Sequence, residues 1–258
     1  MRLARAAAAL VMAVYVRDFA VRTKDDASPV TEADECAEAL IVAGLRQLDP
    51  TIAIVAEEMA ARGEVSAATT RFWLVDPLDG TKEFVSRNGE FTVNIALIED
   101  AQPVLGVVAV PARGRLYAGL LGAGAWVEDD AQPGVRRPIA VRPTPAEGLT
   151  VVASRSHGDA AALAAFLAGR LVARRLDAGS SLKLCLLAEG QADLYPRLGR
   201  TMEWDIAAGH AVLAAAGGTV CTLDGAPLRY GKPGFENPHF VASGATHGLA
   251  AGKLQPHP

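Results

Sequence analysis

Residues 72–84, "FWLVDPLDGTKEF", carry an apolar run into two aspartates three positions apart, Asp76 and Asp79, with Gly80 and Thr81 directly after them. A turn needs only one Asp, Asn or Gly to reverse a strand, and a second carboxylate adds like-charge repulsion where the chain is crowded. The pair therefore implies a cation nearby. Gly80 permits close backbone approach, and the N–H groups of Gly80 and Thr81 can face an anion if a helix begins there. Two rival readings fail on spacing. A phosphoryl-aspartate enzyme wants its partner acid two residues on, and "DGTK" lacks the first glycine of a nucleotide-binding Gly-rich loop.

Other acids sit at comparable places. "TIAIVAEE" (51–58) and "RFWLVD" (71–76) read as strands that end in carboxylates, separated by a loop with Gly63, and Asp205 opens the helical run "DIAAGHAVLAAA". Side chains leaving adjacent strand ends can converge. Glu57, Asp76, Asp79 and Asp205 together form an oxygen-only donor set, which suits Mg²⁺ or Mn²⁺ and not zinc. Each acid taken alone also has a plain structural reading as a turn residue or cap, Asp205 most of all.

Composition narrows the setting. Hydrophobic residues make up 50% of the 258 and charged residues 21%, which describes a globular chain. A formal net charge of −4 gives no general attraction for polyanions and argues against a nucleic-acid polymer as partner. An anionic small substrate would need a local cation. Cys36, Cys185 and Cys221 lie far apart without a metal-ligand spacing, as expected of small buried hydrophobes in a reducing compartment. The opening "MRLARAAAALVMAVYV" has the charge and apolar run of a secretory signal but no small-residue cleavage site. Leu3, Ala7, Leu10, Val11 and Val14 recur at helical spacing, so an amphipathic helix packed on the body is expected, with no membrane-spanning segment.

"TKDDASPV" (23–30) reads as a loop, and Thr31 with Asp34 as the cap of a helix reaching about Leu48, with Cys36, Leu40, Ile41, Leu45 and Leu48 on its apolar face. "FTVNIALIED", "PVLGVVAV" and "GRLYAGLLGAGAWVED" form an antiparallel meander. The Pro- and Arg-rich stretch 133–145 is the expected boundary between an α+β domain, residues 1–142, and an α/β domain, residues 143–258. In the latter, "TVVAS", "VARRLDA", "ADLYPRL" and "TVCTL" alternate with helices at 159–169, from Ser180, and at 205–216, which predicts a mixed or parallel sheet. A site in the cleft between the halves follows.

The segments "EE", "DPLDGT" and "WDIAAGH" resemble, in that order, the signatures of the Mg²⁺-dependent, lithium-sensitive inositol monophosphatase superfamily. "KDDASPVTEAD", "DPLDGTKEFVSRNGEFTVNIALI", "VVASRSH", "GSSLKLCLLAEGQADLYPRLG" and "MEWDIAAGHAVLAAAGG" are similar to its CysQ type, the 3'(2'),5'-bisphosphate nucleotidases of sulfur metabolism. The resemblance covers Lys24 to about Gly244.

It implies a layered αβαβα fold and hydrolysis of 3'-phosphoadenosine 5'-phosphate to AMP and phosphate. By the same resemblance, Glu57, Asp76 and the Leu78 carbonyl hold one magnesium, and Asp76, Asp79 and Asp205 a second. A third, looser ion lies near Glu57, and Glu58 stands behind the ligands. Thr81, hydrogen-bonded to Asp34, orients the attacking water, and Gly80 and Thr81 present N–H groups to the phosphoryl oxygens. Ser154, His157, Ser180, Lys183 and Arg197 are expected around the ribose, base or 5'-phosphate, with Asp205 bordering the substrate. Lys183 stands among leucines, so it is expected to face a site or partner acid. A cytoplasmic monomer or homodimer is implied, with association at the inner face of a membrane left open. Two alternatives stay open: an inositol or sugar monophosphate phosphatase of the same fold, and a catalytically silent binding protein. The complete acid set speaks against the latter.

Overall fold

The computed structural model describes residues 1–24, 29–65, 69–154 and 160–244. The chain opens with α1 (Arg2–Tyr15), whose Ala4, Ala7, Val11 and Val14 form one buried stripe at helical spacing. The expected helix is present, but Leu10 is among the exposed large hydrophobics and Ala4 takes a place in the stripe. Short strands β1 (Arg22–Thr23) and β2 (Pro29–Val30) pair antiparallel, so the flanks of the expected loop form a ribbon.

Helix α2 (Glu32–Leu48) starts at Thr31 with a capping box: Thr31 Oγ1 accepts from the Ala33 N–H, and Asp34 reaches back to the Thr31 N–H. Its inward face is Ala33, Ala37, Ile41, Val42 and Leu45; Cys36 and Leu48 lie outside. The inward face is rotated from the expected one because Ala33 and Ala37, which permit close packing, turn to the core in place of larger apolar residues. Cys36 is thus exposed and Cys221 only half-buried, leaving Cys185 as the buried thiol.

Then come β3 (Ala53–Ala56), a short α3 (Glu57–Ala61) that takes the last two residues of the expected strand and the start of the expected loop, β4 (Arg71–Asp79) and the short α4 (Thr81–Val85). The meander follows as β5 (Thr92–Glu99), β6 (Gln102–Val110), β7 (Arg115–Leu120) and β8 (Gly124–Asp129). A further strand, β9 (Arg136–Ile139), extends it through the Arg-rich stretch. These make a seven-stranded sheet in the order β3-β4-β5-β6-β7-β8-β9, parallel at β3/β4 and antiparallel beyond.

The second sheet contains β10 (Leu149–Ser154), β11 (Val172–Ala178), β12 (Leu194–Arg197), β13 (Thr219–Thr222) and β14 (Phe240–Ser243), in the order β11-β10-β12-β14-β13. It is mixed, as expected: β10 runs parallel to β11 and β12, and β14 is antiparallel to β12 and β13. The parallel pair requires a crossover, supplied by α5 (Ala160–Leu167). Helices α6 (Leu182–Ala188) and α7 (Glu203–Ala215) complete the set.

Both faces of β4 and β5 are buried, which explains their nearly unbroken apolar sequence. Trp73, Val75, Ile95 and Leu97 pack toward α1 and α2, whereas Phe72, Leu74, Ala96 and Ile98 join a core shared with α6, α7 and the second sheet. The result is a layered αβαβα sandwich. Helix α7 lies directly on the first sheet at Gly106 and Gly119: a Cβ at Gly106 would sit 2.2 Å from the Ala208 carbonyl oxygen, and one at Gly119 2.6 Å from Val212 Cα. This close seating delivers the N-terminal turn of α7 to the end of β4. Among the described residues no helix is long and apolar enough to cross a membrane.

Candidate active site

The spacing of Asp76 and Asp79 is explained by a bulge. Asp76 pairs with Asn94 and Asp79 with Thr92, so three steps on β4 oppose two on β5. Residues three apart in an unbroken strand point to opposite faces; the extra residue restores them to one face. Asp79 Oδ2 accordingly receives Thr92 Oγ1 and Asn94 Nδ2, each at 3.4 Å. Leu78 lies in the bulge, its N–H donating to Asp76 Oδ1 at 2.9 Å while its carbonyl accepts from Thr81 Oγ1 at 3.3 Å.

Glu57 follows the neighbouring strand β3 as the first residue of α3. The parallel register Ala56↔Val75 sets it beside Asp76. Asp205 arrives from the other side as the third residue of α7, where Oδ2 accepts the Met202 N–H at 2.8 Å. The two halves are tied at this point: the Ser181 N–H donates to Asp79 Oδ2, and the Ser181 hydroxyl donates to the Asp205 carbonyl. Burial pushes the Asp76 carboxyl well above its ordinary range, and the neighbouring charges of Glu57, Asp79 and Asp205 push it further. Asp205 is pushed up to about 8, first by burial and then by Asp79 and Glu57. Asp79 is also raised by burial, with Lys183 and the Ser181 N–H opposing.

Among the described residues no three His, Cys, Asp or Glu side chains are already drawn into a metal cage. The carboxylates instead turn to protein donors, Glu57 to Lys24 Nζ at 2.7 Å and Asp79 and Asp205 to backbone N–H groups. The donor chemistry nevertheless fits a hard divalent cation, because buried acids whose charges act on one another favour proton uptake or a cation.

Asp34 divides its two oxygens. Oδ2 accepts the Thr31 N–H at 2.8 Å and the Thr31 hydroxyl at 2.7 Å, and Oδ1 accepts from Thr81 Oγ1 at 3.3 Å. Burial raises its pKa to about 7 against the lowering effect of the Thr31 hydrogen bonds. Gly80, at φ +89°, lies in the left-handed region before α4 and lets Thr81 turn back toward Asp34.

Ser180 also has a left-handed backbone, φ +48°, an uncommon conformation for serine, and α6 begins after it at Leu182 rather than at Ser180 itself. Lys183 is buried, donates to the Ser180 carbonyl at 2.7 Å and lies over the Tyr195 ring. Its pKa is lowered to about 8 by burial, with Asp79 opposing and Arg197 adding to the fall. The buried Arg197 donates to the Arg200 carbonyl at 2.6 Å, while its Nε finds no acceptor among the described residues. Ser154 closes β10 in register with Ala178, two residues before Ser180. His157 lies outside the described residues.

The profile of the inositol monophosphatase family matches residues 1–258. The chain belongs to the inositol monophosphatase family. It is 49% identical over 245 residues to the 3'(2'),5'-bisphosphate nucleotidase CysQ of Escherichia coli K12, covering 94% of this chain and 97% of that one. The crystal structure of CysQ from Bacteroides thetaiotaomicron superposes with a TM-score of 0.78 at 35% identity, covering 95% of each chain. The inositol monophosphatase of Anabaena sp. PCC 7120 superposes with a TM-score of 0.74 at 26% identity, covering 95% of this chain and 88% of that one.

In this inositol monophosphatase family member, sequence reading missed Lys24, Asn94 and Ser181 as parts of the site. Asn94 had a signal, being the one amide in the apolar strand "TVNIALI", two residues from Thr92 and thus on its face. Lys24 had none, since its bonds to Glu57 and Glu58 cross 33 and 34 residues.

Proposed function

We infer that this chain is a 3'(2'),5'-bisphosphate nucleotidase, a phosphoric monoester hydrolase that removes the 3'-phosphate of 3'-phosphoadenosine 5'-phosphate to leave AMP. The observation that carries the reading is the 49% identity with a CysQ nucleotidase over 94% of the chain. Glu57, Asp76 and the Leu78 carbonyl would hold one Mg²⁺, and Asp76, Asp79 and Asp205 a second. A third, looser ion would lie by Glu57, and Mn²⁺ would substitute. When bound, such ions supply Lewis acidity toward the phosphoryl oxygens and make water acidic enough to attack near neutral pH.

The remaining work falls to the chain. Thr81 donates its hydroxyl proton to Asp34, which leaves its lone pairs to accept from the attacking water and so to aim it. Asp34, whose free oxygen receives the Thr81 hydroxyl, is the proton acceptor of the pair. The N–H groups of Gly80 and Thr81 face the charge that develops on the phosphoryl oxygens. Lys183 and Arg197, cations buried on the second half, supply the local positive charge that a doubly phosphorylated nucleotide needs on a chain of net charge −4. Ser154 and Ser180 are assigned to the ribose and 5'-phosphate, His157 to the same role by family resemblance alone, and Asp205 to both metal and substrate. A cytoplasmic setting belongs to the same reading.

The test is product identity. Chromatography of a Mg²⁺ reaction on 3'-phosphoadenosine 5'-phosphate should show AMP and phosphate in equal amounts; accumulation of adenosine 3'-phosphate would contradict the assigned position of cleavage.

A further inference from the structure

Glu38 lies one helical turn beyond Asp34 on α2, and its carboxylate is spent on α3. Oε2 accepts the Glu58 N–H at 2.7 Å and the Met59 N–H at 3.4 Å, while Oε1 accepts from Arg62 Nη2 at 3.1 Å. The residue at the start of α3, Ala56, makes no side-chain cap, so the first-turn N–H groups would be orphaned without an acceptor from elsewhere. Glu38 is only 3% exposed, and a buried carboxylate is retained at a cost unless its oxygens are satisfied. Here they are satisfied by the turn that presents Glu57. The covalent neighbour of the anchored Glu58 N–H is the Glu57 carbonyl, so fixing that amide fixes the direction in which Glu57 leaves the chain.

We propose that Glu38 is a positioning residue for divalent-ion binding, holding the Glu57–Glu58 turn in place from α2 without itself touching ion or substrate. The proposal rests on the reading of Glu57 as a metal ligand. Helix α2 then serves the site twice, aiming Asp34 at Thr81 and bracing the turn of Glu57 one helical turn later. Groups that orient metal ligands from behind typically change ion affinity or activity by about 10- to 100-fold when removed.

The test is calorimetric titration of Mn²⁺ into the purified full chain, with circular dichroism to establish folding. Glu38→Gln keeps an acceptor for the Glu58 N–H and should bind within about threefold of wild type, whereas Glu38→Ala should bind about tenfold more weakly or worse. Adding Ala56→Ser to Glu38→Ala supplies a local cap and should recover part of the lost affinity. A folded Glu38→Ala chain with wild-type affinity overturns the proposal, as does a Gln variant as weak as the Ala variant. If Glu38→Ala does not fold, Glu38→Asp replaces it, because the side chain shorter by one methylene withdraws the carboxylate from the Glu58 N–H: a loss of about tenfold supports the proposal and wild-type affinity overturns it. Glu57→Gln, run alongside, separates the two readings. Wild-type affinity there removes Glu57 as a ligand, whereas weakened Glu57→Gln with unaffected Glu38→Ala rejects the role of Glu38 alone.

Discussion

Asp34 and Thr81, 47 positions apart in the chain, are joined by a 3.3 Å hydrogen bond from the Thr81 hydroxyl to the one Asp34 oxygen that does not cap α2. The capping and catalytic readings of Asp34 are therefore compatible, each using its own oxygen. Asp34→Asn retains a side-chain acceptor for the cap but cannot take a proton. It should fold with a melting temperature close to wild type while kcat falls about 10²- to 10⁴-fold at saturating Mg²⁺. Thr81→Val should fall similarly, and steady-state kinetics with both variants and their double mutant should show strongly non-additive losses.

The buried acids make metal removal a stability experiment. Asp205 is pushed up to about 8 in the folded chain from an ordinary 3.8, so the metal-free fold is favoured below pH 4 by this group and loses that contribution as pH rises through 8. Asp205→Asn removes the charge. In EDTA at pH 8 it should melt at or above the wild-type temperature, whereas added Mg²⁺ should raise the wild-type midpoint and leave the variant nearly unmoved. Differential scanning calorimetry with and without Mg²⁺ reads both effects.

His210 acts in the opposite pH range. It is buried against the Tyr230 hydroxyl at 2.8 Å, and burial lowers its pKa from 6.5 to about 4. The unfolded chain takes up that proton first as pH falls, so the contribution is present above pH 6.5 and is lost progressively down to 4. The loss is on the order of 3 kcal/mol. Urea denaturation at pH 7 and pH 4.5 should show a smaller acid loss for His210→Asn than for wild type.

The seating of α7 is also open to test. A Cβ at Gly106 would meet the Ala208 carbonyl oxygen at 2.2 Å and must move the helix that carries Asp205. Gly106→Ala should cost about 1–3 kcal/mol in chemical denaturation. It should also raise the Mg²⁺ concentration needed for half-maximal activity, because Asp205 moves with the helix.

Much of this was legible in the sequence because the signals are local. The capping box at Thr31, the meander from Phe91 to Asp129 and the alternation of strand and helix after Leu149 are written in neighbouring residues. The acids of the candidate site stand out in the sequence by residue type, and the Thr81–Asp34 hydrogen bond follows from the family resemblance. What escaped depends on distant partners. β9 is a strand because β8 leaves an edge for it, although its sequence contains a proline and two arginines. β14 (Phe240–Ser243), which begins at the last residue of the generic stretch 229–240, is a strand because β12 and β13 both need a partner. The bulge between Asp76 and Asp79 is invisible without the register of β5, yet it is what brings both carboxylates to one face.

The central claim is that these acids serve a bisphosphate nucleotide. The measurement that tests it most directly is phosphate release from 3'-phosphoadenosine 5'-phosphate and from inositol 1-phosphate under the same Mg²⁺ conditions, repeated with EDTA and with added Li⁺. The expected result is a much higher kcat/KM for the nucleotide, abolished by EDTA and inhibited by Li⁺. A higher kcat/KM for the inositol ester, or no release from either substrate, would contradict it.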